Sequence, residues 1–189
     1  MANRSGEHYD STTIGLHWVT AIMVVILWGG GEVADFVPKG GWRTNGWTLH
    51  VALGFALVTV LIWRFVWRFT GRRRLPAADV NPTVHLVAEA SHYALYALLF
   101  MTLAFGVADA FARGFSLTDL SSLPKFGDKD AQTALALWHG VASDLLIAVA
   151  FWHAAAALAH HYILQDGVLM RMAPERHPVP EERLESTDA

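Results

Sequence analysis

Four long apolar stretches, at about 14–34, 47–69, 87–108 and 135–164, constrain this chain more than any other feature. Each reaches the roughly 20 residues that a helix needs to cross the hydrocarbon of a bilayer. A spanning segment must satisfy its own backbone N–H and C=O groups, so all four are expected to be α-helices. Four antiparallel helices with modest loops make a bundle. The expected fold is therefore all-α: an integral membrane four-helix bundle over 1–172, with a polar tail rich in Pro and Glu over 173–189.

The composition agrees. Apolar residues make up 53% of the 189 positions and charged residues only 16%, too greasy a balance for an ordinary soluble domain. The first stretch has a long polar lead, no small-x-small cleavage site after it and a histidine one turn from its start, so it is expected to be a retained helix and not a signal peptide. The bases set the expected orientation. Arg64, Arg68, Arg72, Arg73 and Arg74 end the second stretch, Arg171, Arg176 and Arg183 follow the fourth, and Arg4 precedes the first. The opposite loops hold Lys39, Arg43, Arg113, Lys125 and Lys129. Nine bases against five place both termini in the cytoplasm of a multi-pass protein. The 113–133 loop, with its Gly, Pro and Ser, is expected to form a short cap over the outer surface.

Cysteine is absent, which excludes disulfides, thiolate zinc sites, thioether haem attachment and cysteine-ligated iron–sulfur clusters. Any metal must be held by other side chains. The chain has 10 histidines, and several fall inside the apolar stretches, where an unpartnered ionisable group is costly. His17 lies about one turn into the first helix, entering from the cytoplasm, and His50 about one turn into the second, entering from outside. Helix four carries His139 near its outer start and His153 14 residues later. That spacing is roughly 21 Å along the axis and returns to within about 40° of the same face. The depths then pair His17 with His153 inside and His50 with His139 outside. One lone membrane histidine is more often a satisfied core residue, but two depth-matched pairs suit two b-type haems, because imidazole is a good iron ligand and a porphyrin fills the gap between helices. Gly54, Gly140, Ala142, Ser143 and Ala150 leave room for it.

These residues resemble the bacterial cytochrome b561 family. The likeness rests on Leu16-His17-Trp18, on His50 with Gly54 and Arg64-Phe65-Val66-Trp67-Arg68, on His92 with Tyr96, and on His139 through His153-Ala154-Ala155-Ala156-Ala157-Leu158-Ala159-His160-His161-Tyr162. Glu89 and Ala104 depart from the pattern, at positions where relatives often have His and Pro. The resemblance implies a four-helix dihaem cytochrome of a bacterial inner membrane. It looks most like the superoxide oxidase subgroup, which implies oxidation of periplasmic superoxide to O2 and reduction of ubiquinone. An electron-relay subunit fed by a periplasmic partner protein is the alternative, and a transporter using histidines as proton relays is a third. Membrane lipid, superoxide and ubiquinone are the expected partners, with no nucleic acid and no obligatory protein.

Two further residues follow from placement on this frame. His160 is seven residues past His153, on nearly the same face and roughly 10 Å beyond it, where its ring could hydrogen-bond a quinone carbonyl and supply a proton. The resemblance also points to His160. Arg64 is 14 residues from His50 and so near the inner haem, where it could pair with a propionate or anchor the helix at the headgroups. His92 and His161 are left without a role. The outer loops carry Glu32, Asp35, Asp109, Asp119, Asp128 and Asp130 beside their five bases, so any positive patch that draws superoxide must come from folding.

Overall fold

The computed structural model describes residues 9–34, 36–70, 82–118, 121–166 and 168–173. Its main elements are four helices, α1 (Ser11–Ala34), α2 (Gly41–Thr70), α3 (Pro82–Arg113) and α4 (Lys129–Ala159). All four are long and apolar enough to cross a membrane. The first three are also longer than the apolar stretches inside them. At about 1.5 Å per residue, the 30 residues of α2 reach past the hydrocarbon into the headgroup level.

Local chemistry sets the helix ends. Asp10 caps α1: its carboxylate accepts from the Thr13 backbone N–H at 3.0 Å and from the Thr13 hydroxyl at 2.7 Å. Trp67 of α2 donates its indole N–H to the same carboxylate at 3.2 Å, so the cap also ties α1 to α2. Burial pushes the Asp10 pKa up, but these hydrogen bonds outweigh it and hold the carboxyl below its ordinary value. Pro82 opens α3, where its missing N–H costs nothing. At the other end Gly114 takes φ +63°, and the Phe115 and Gly114 amides donate to the Ala110 and Phe111 carbonyls, each at 3.0 Å. This is a Schellman motif, and a side chain at Gly114 would also meet Lys125 at 2.8 Å. Asp128 caps α4 by accepting from the Ala131 N–H at 2.8 Å.

The expected cap between α3 and α4 includes a small antiparallel hairpin, β1 (Ser116–Thr118) with β2 (Ser121–Ser122), and β1 lies against α2. The fourth helix is not one α-helix to residue 164. It ends at Ala159 and continues as a π-helical turn over His160–Leu164. The polar tail expected over 173–189 lies outside the described residues beyond Ala173, as do Arg4, Arg72, Arg73, Arg74, Arg176 and Arg183.

Packing is uneven. α1 runs closely along α2 and α3 along α4, whereas α2 with α3 and α1 with α4 touch far more sparsely. Two tight hairpins therefore face each other across a looser seam. Leu57, Leu99 and Leu146 close that seam at mid-height, with Val24, Leu27 and Leu61 among the side chains packed on them. The outside carries Ile22, Ile26, Trp63, Phe100 and Phe151, all more than half exposed. In water that surface would aggregate; lipid is the solvent it matches.

Candidate cofactor site

The seam is patterned in sevens, a spacing that returns within about 20° of one helix face. On α1 the series is His17, Val24, Gly31; on α2, His50, Leu57, Arg64; on α3, His92, Leu99, Gly106; on α4, His139, Leu146, His153. Because neighbouring helices run in opposite directions, the series stack into three layers. Gly31, His50, Gly106 and His139 form one end layer, the aliphatic residues the middle, and His17, Arg64, His92 and His153 the other end layer.

The His50 and His139 rings lie 6.2 Å apart, centroid to centroid, in a cavity of about 650 Å³. That is within the range of small-molecule and cofactor pockets. Gly31, Gly54, Gly106 and Gly140 line it, together with Trp28 and Trp47. The glycines matter differently. A Cβ at Gly106 would stand 2.8 Å from the His139 ring, so this ring sits where only glycine leaves space. His139 donates its Nδ1–H to the Thr102 carbonyl, 2.9 Å away, which leaves Nε2 with its lone pair for a metal. His50 Nδ1 is buried with no hydrogen-bond partner among the described residues. Two imidazoles facing one cavity, one with its tautomer set by a carbonyl, offer two nitrogen donors of the kind a bis-histidine haem would need, and the residues present fit that group. No cluster of three or more His, Cys, Asp or Glu suited to a bare metal ion occurs among the described residues.

At the other end layer, the His92 and His153 rings are 5.1 Å apart, and His17 lies within electrostatic range of both. Arg64 Nη2 is 3.3 Å from His17 Nδ1, and its guanidinium lies over the Tyr96 ring at 5.3 Å. The structure thus gathers His17, His153 and Arg64, as the spacing led us to expect, and adds His92, which had no role. A cation held among histidines fits a site for a carboxylate-bearing ligand such as haem.

The mouth of the cavity beside His50 does not collect positive charge. Glu32 and Asp109 line it alongside Arg43 and Arg113, and Arg113 pairs with Asp109 at 2.8 Å. Lys39, Lys125 and Lys129 are not among its lining residues.

His160 sits in the π-helical turn beyond His153, and its Nδ1 hydrogen-bonds the Asp166 carboxylate. His161 stacks edge-on against Tyr162 at 4.7 Å. Sequence reading missed Gly31, Gly106 and Asp166. For the two glycines the signal was present, since each stands 14 residues after a histidine of the opposite layer. For Asp166 there was none, because the chain must reverse at Gln165 to bring it back. A further acid, Asp144, lies within α4 and accepts from the Trp28 indole at 3.0 Å, joining α4 to α1 near the cavity.

Comparison with known proteins places these residues in context. The model of the family described as prokaryotic cytochrome b561 matches residues 8–175. A protein of Yersinia pestis named probable superoxide oxidase CybB is 26% identical over 179 residues, covering 90% of this chain and 98% of that protein. Cytochrome b561 homolog 2 of Escherichia coli (strain K12) is 30% identical over 178 residues, covering 88% and 91%. Cytochrome b561 homolog 1 of the same strain is 26% identical over 183 residues.

Proposed function

Because the chain belongs to the prokaryotic cytochrome b561 family, and is therefore a bacterial membrane cytochrome of electron transfer, we propose that it carries electrons from superoxide on the periplasmic side to ubiquinone on the cytoplasmic side of the inner membrane. In this reading two b-type haems lie in the seam of a single domain over 1–172, one held by His50 and His139 and the other by His17 and His153. Each haem, when bound, supplies a reversible one-electron step.

The observation that carries the reading is the layering. Ligand-type residues occupy both ends of the seam, about 21 Å apart on α4, with an aliphatic layer between them. The chain's own residues then have distinct duties. His139 keeps Nε2 unprotonated by donating Nδ1–H to Thr102, and Gly106 lets its ring approach α3 closely. Leu57, Leu99 and Leu146 keep water from bridging the two ends. Arg64, 3.3 Å from the His17 ring, would balance the charge of a haem propionate there. His160, beyond His153, faces the level where a quinone head would meet the protein and offers it a hydrogen bond. The basic-rich ends of α2 and the segment after α4 favour the cytoplasm for that side.

Superoxide as donor rests on the likeness to the Yersinia pestis protein. Charge does not add to it, since two acids and two bases line the mouth. Stopped-flow mixing of the purified protein with superoxide, with a ubiquinone present and no partner protein, tests it. Rapid haem reduction followed by quinone-dependent reoxidation is expected. Haems that superoxide leaves oxidised would overturn the donor and leave the electron-relay subunit as the function.

A further inference from the structure

After α4 the chain does not simply leave the membrane. The π-helical turn His160–Leu164 is followed by Gln165 in the left-handed conformation, φ 54° and ψ 32°, an unusual state for a residue with a side chain. Its amide donates to the His160 carbonyl, and so does the Asp166 amide at 3.4 Å. The segment then makes a 3-10 turn at Leu169–Met172 and is fastened to the start of α1. Trp18 donates its indole N–H to the Met172 carbonyl at 3.0 Å, and the Tyr9 amide donates to the Arg171 carbonyl at 3.1 Å. The result is a strap closing the His17 end of the bundle, fixed at both ends.

Asp166 is the acid that this strap delivers. One carboxylate oxygen accepts from His160 Nδ1, and the other accepts from the Val168 amide at 3.2 Å. Both side chains are mostly covered, 17% exposed for His160 and 22% for Asp166. The carboxylate is thus oriented by its own backbone before it meets the imidazole. Burial pushes its pKa up, but the hydrogen bonds from His160 and Val168 outweigh this and keep it below the ordinary range. A π-helical turn and a left-handed non-glycine residue at one place are the kinds of local departure that persist where function holds them.

We infer that Asp166 is the positioning residue of a His160–Asp166 dyad that protonates the quinone. This rests on the reading of His160 as the quinone contact. The carboxylate fixes the proton on Nδ1, so Nε2 is the ring nitrogen presented to the substrate, and it stabilises the imidazolium from which a proton is given. Quinone reduction takes two electrons and two protons. The electrons come from two superoxide ions, each leaving as O2. One proton passes from His160 Nε2 to a carbonyl oxygen, forming the new O–H bond as the N–H bond breaks, and His160 recovers it from cytoplasmic water. Water at the strap supplies the second to the other carbonyl.

The test uses the full haem-loaded protein, a short-chain ubiquinone, and four variants. Binding of the quinone to the oxidised protein is measured apart from turnover. Asp166→Asn keeps an acceptor for Nδ1–H but loses the charge, so binding and KM should hold while kcat for quinone reduction falls by about 10²-fold, the low end for acid catalysis. Asp166→Ala should weaken binding as well, and Asp166→Glu should recover part of kcat. Superoxide should still reduce the haems in all of them. If Asp166→Asn and Asp166→Ala turn over quinone as the parent does while His160→Ala does not, the dyad is overturned and the quinone site stands. If His160→Ala binds and reduces quinone normally, the quinone site is overturned and the dyad with it. Should Asp166→Ala lose haem, Asp166→Asn decides: full kcat with intact haem spectra overturns the inference.

Discussion

Replacing Gly106 by alanine isolates the role of the Gly31–His50–Gly106–His139 layer. The added Cβ would lie 2.8 Å from one atom of the His139 ring and 2.9 Å from another, against an ordinary contact of 3.4 Å or more. The ring must retreat by about 0.6 Å, the gap between 2.8 and 3.4 Å. It cannot do so freely, because its Nδ1–H is held by the Thr102 carbonyl at 2.9 Å, one turn away on α3. Overpacking of this kind costs about 1–3 kcal/mol, which corresponds to roughly 5- to 150-fold in affinity for a group the ring must hold. Gly106→Ala should therefore bind one of two haems weakly, read as a haem-to-protein ratio falling toward one and a redox titration losing one step. Gly30→Ala is the control, since nothing lies within 4 Å of a Cβ there. Full haem content and unchanged potentials in Gly106→Ala would refute the reasoning, and equal damage from Gly30→Ala would assign the effect to α-helix packing in general.

Other outcomes follow from the layers. His50→Ala and His139→Ala should lose one haem signal and His17→Ala and His153→Ala the other, in reduced-minus-oxidised spectra. His92→Ala should retain both haems; if it loses the same one as His153→Ala while His17→Ala keeps it, His92 replaces His17 as ligand. Removing the α1 cap with Asp10→Ala should destabilise the protein by about 0.5–2 kcal/mol, seen as a lower thermal midpoint in detergent. The Asp10 carboxyl is held below its ordinary value in the folded state, so its contribution is complete above about pH 4 and is lost as pH falls through the depressed value. The Asp10→Ala protein should consequently lack that part of the acid destabilisation shown by the parent, and identical acid profiles would rule out the cap as its source.

Much of this protein was legible in the order of its residues. The four spans follow from hydropathy, because lipid leaves the backbone no choice but helices. The layers follow from spacing: on a helix, seven residues return nearly the same face, so His139, Leu146, His153 and His160 share a stripe whatever the rest of the chain does. Those are local properties, and a sequence carries them in full. What only the tertiary structure decided are meetings between helices. Gly106 matters because His139 of α4 lies on it, and His92 matters because α3 brings its ring to 5.1 Å from His153. Spacing gives a residue's height and face but not the rotation of one helix against another, which packing sets. The charges at the mouth divide the same way: Asp109 meets Arg113 by i,i+4 spacing on α3, but only folding sets that pair beside Glu32 of α1 and Arg43 of α2. The dyad is the plainest case. Asp166 is six residues past His160, and a continuous α-helix would turn the two far apart in angle. A π-helical turn and one left-handed residue, Gln165, bend the chain back so that they meet, and the hydropathy and spacing that foretold the spans carry no trace of that reversal.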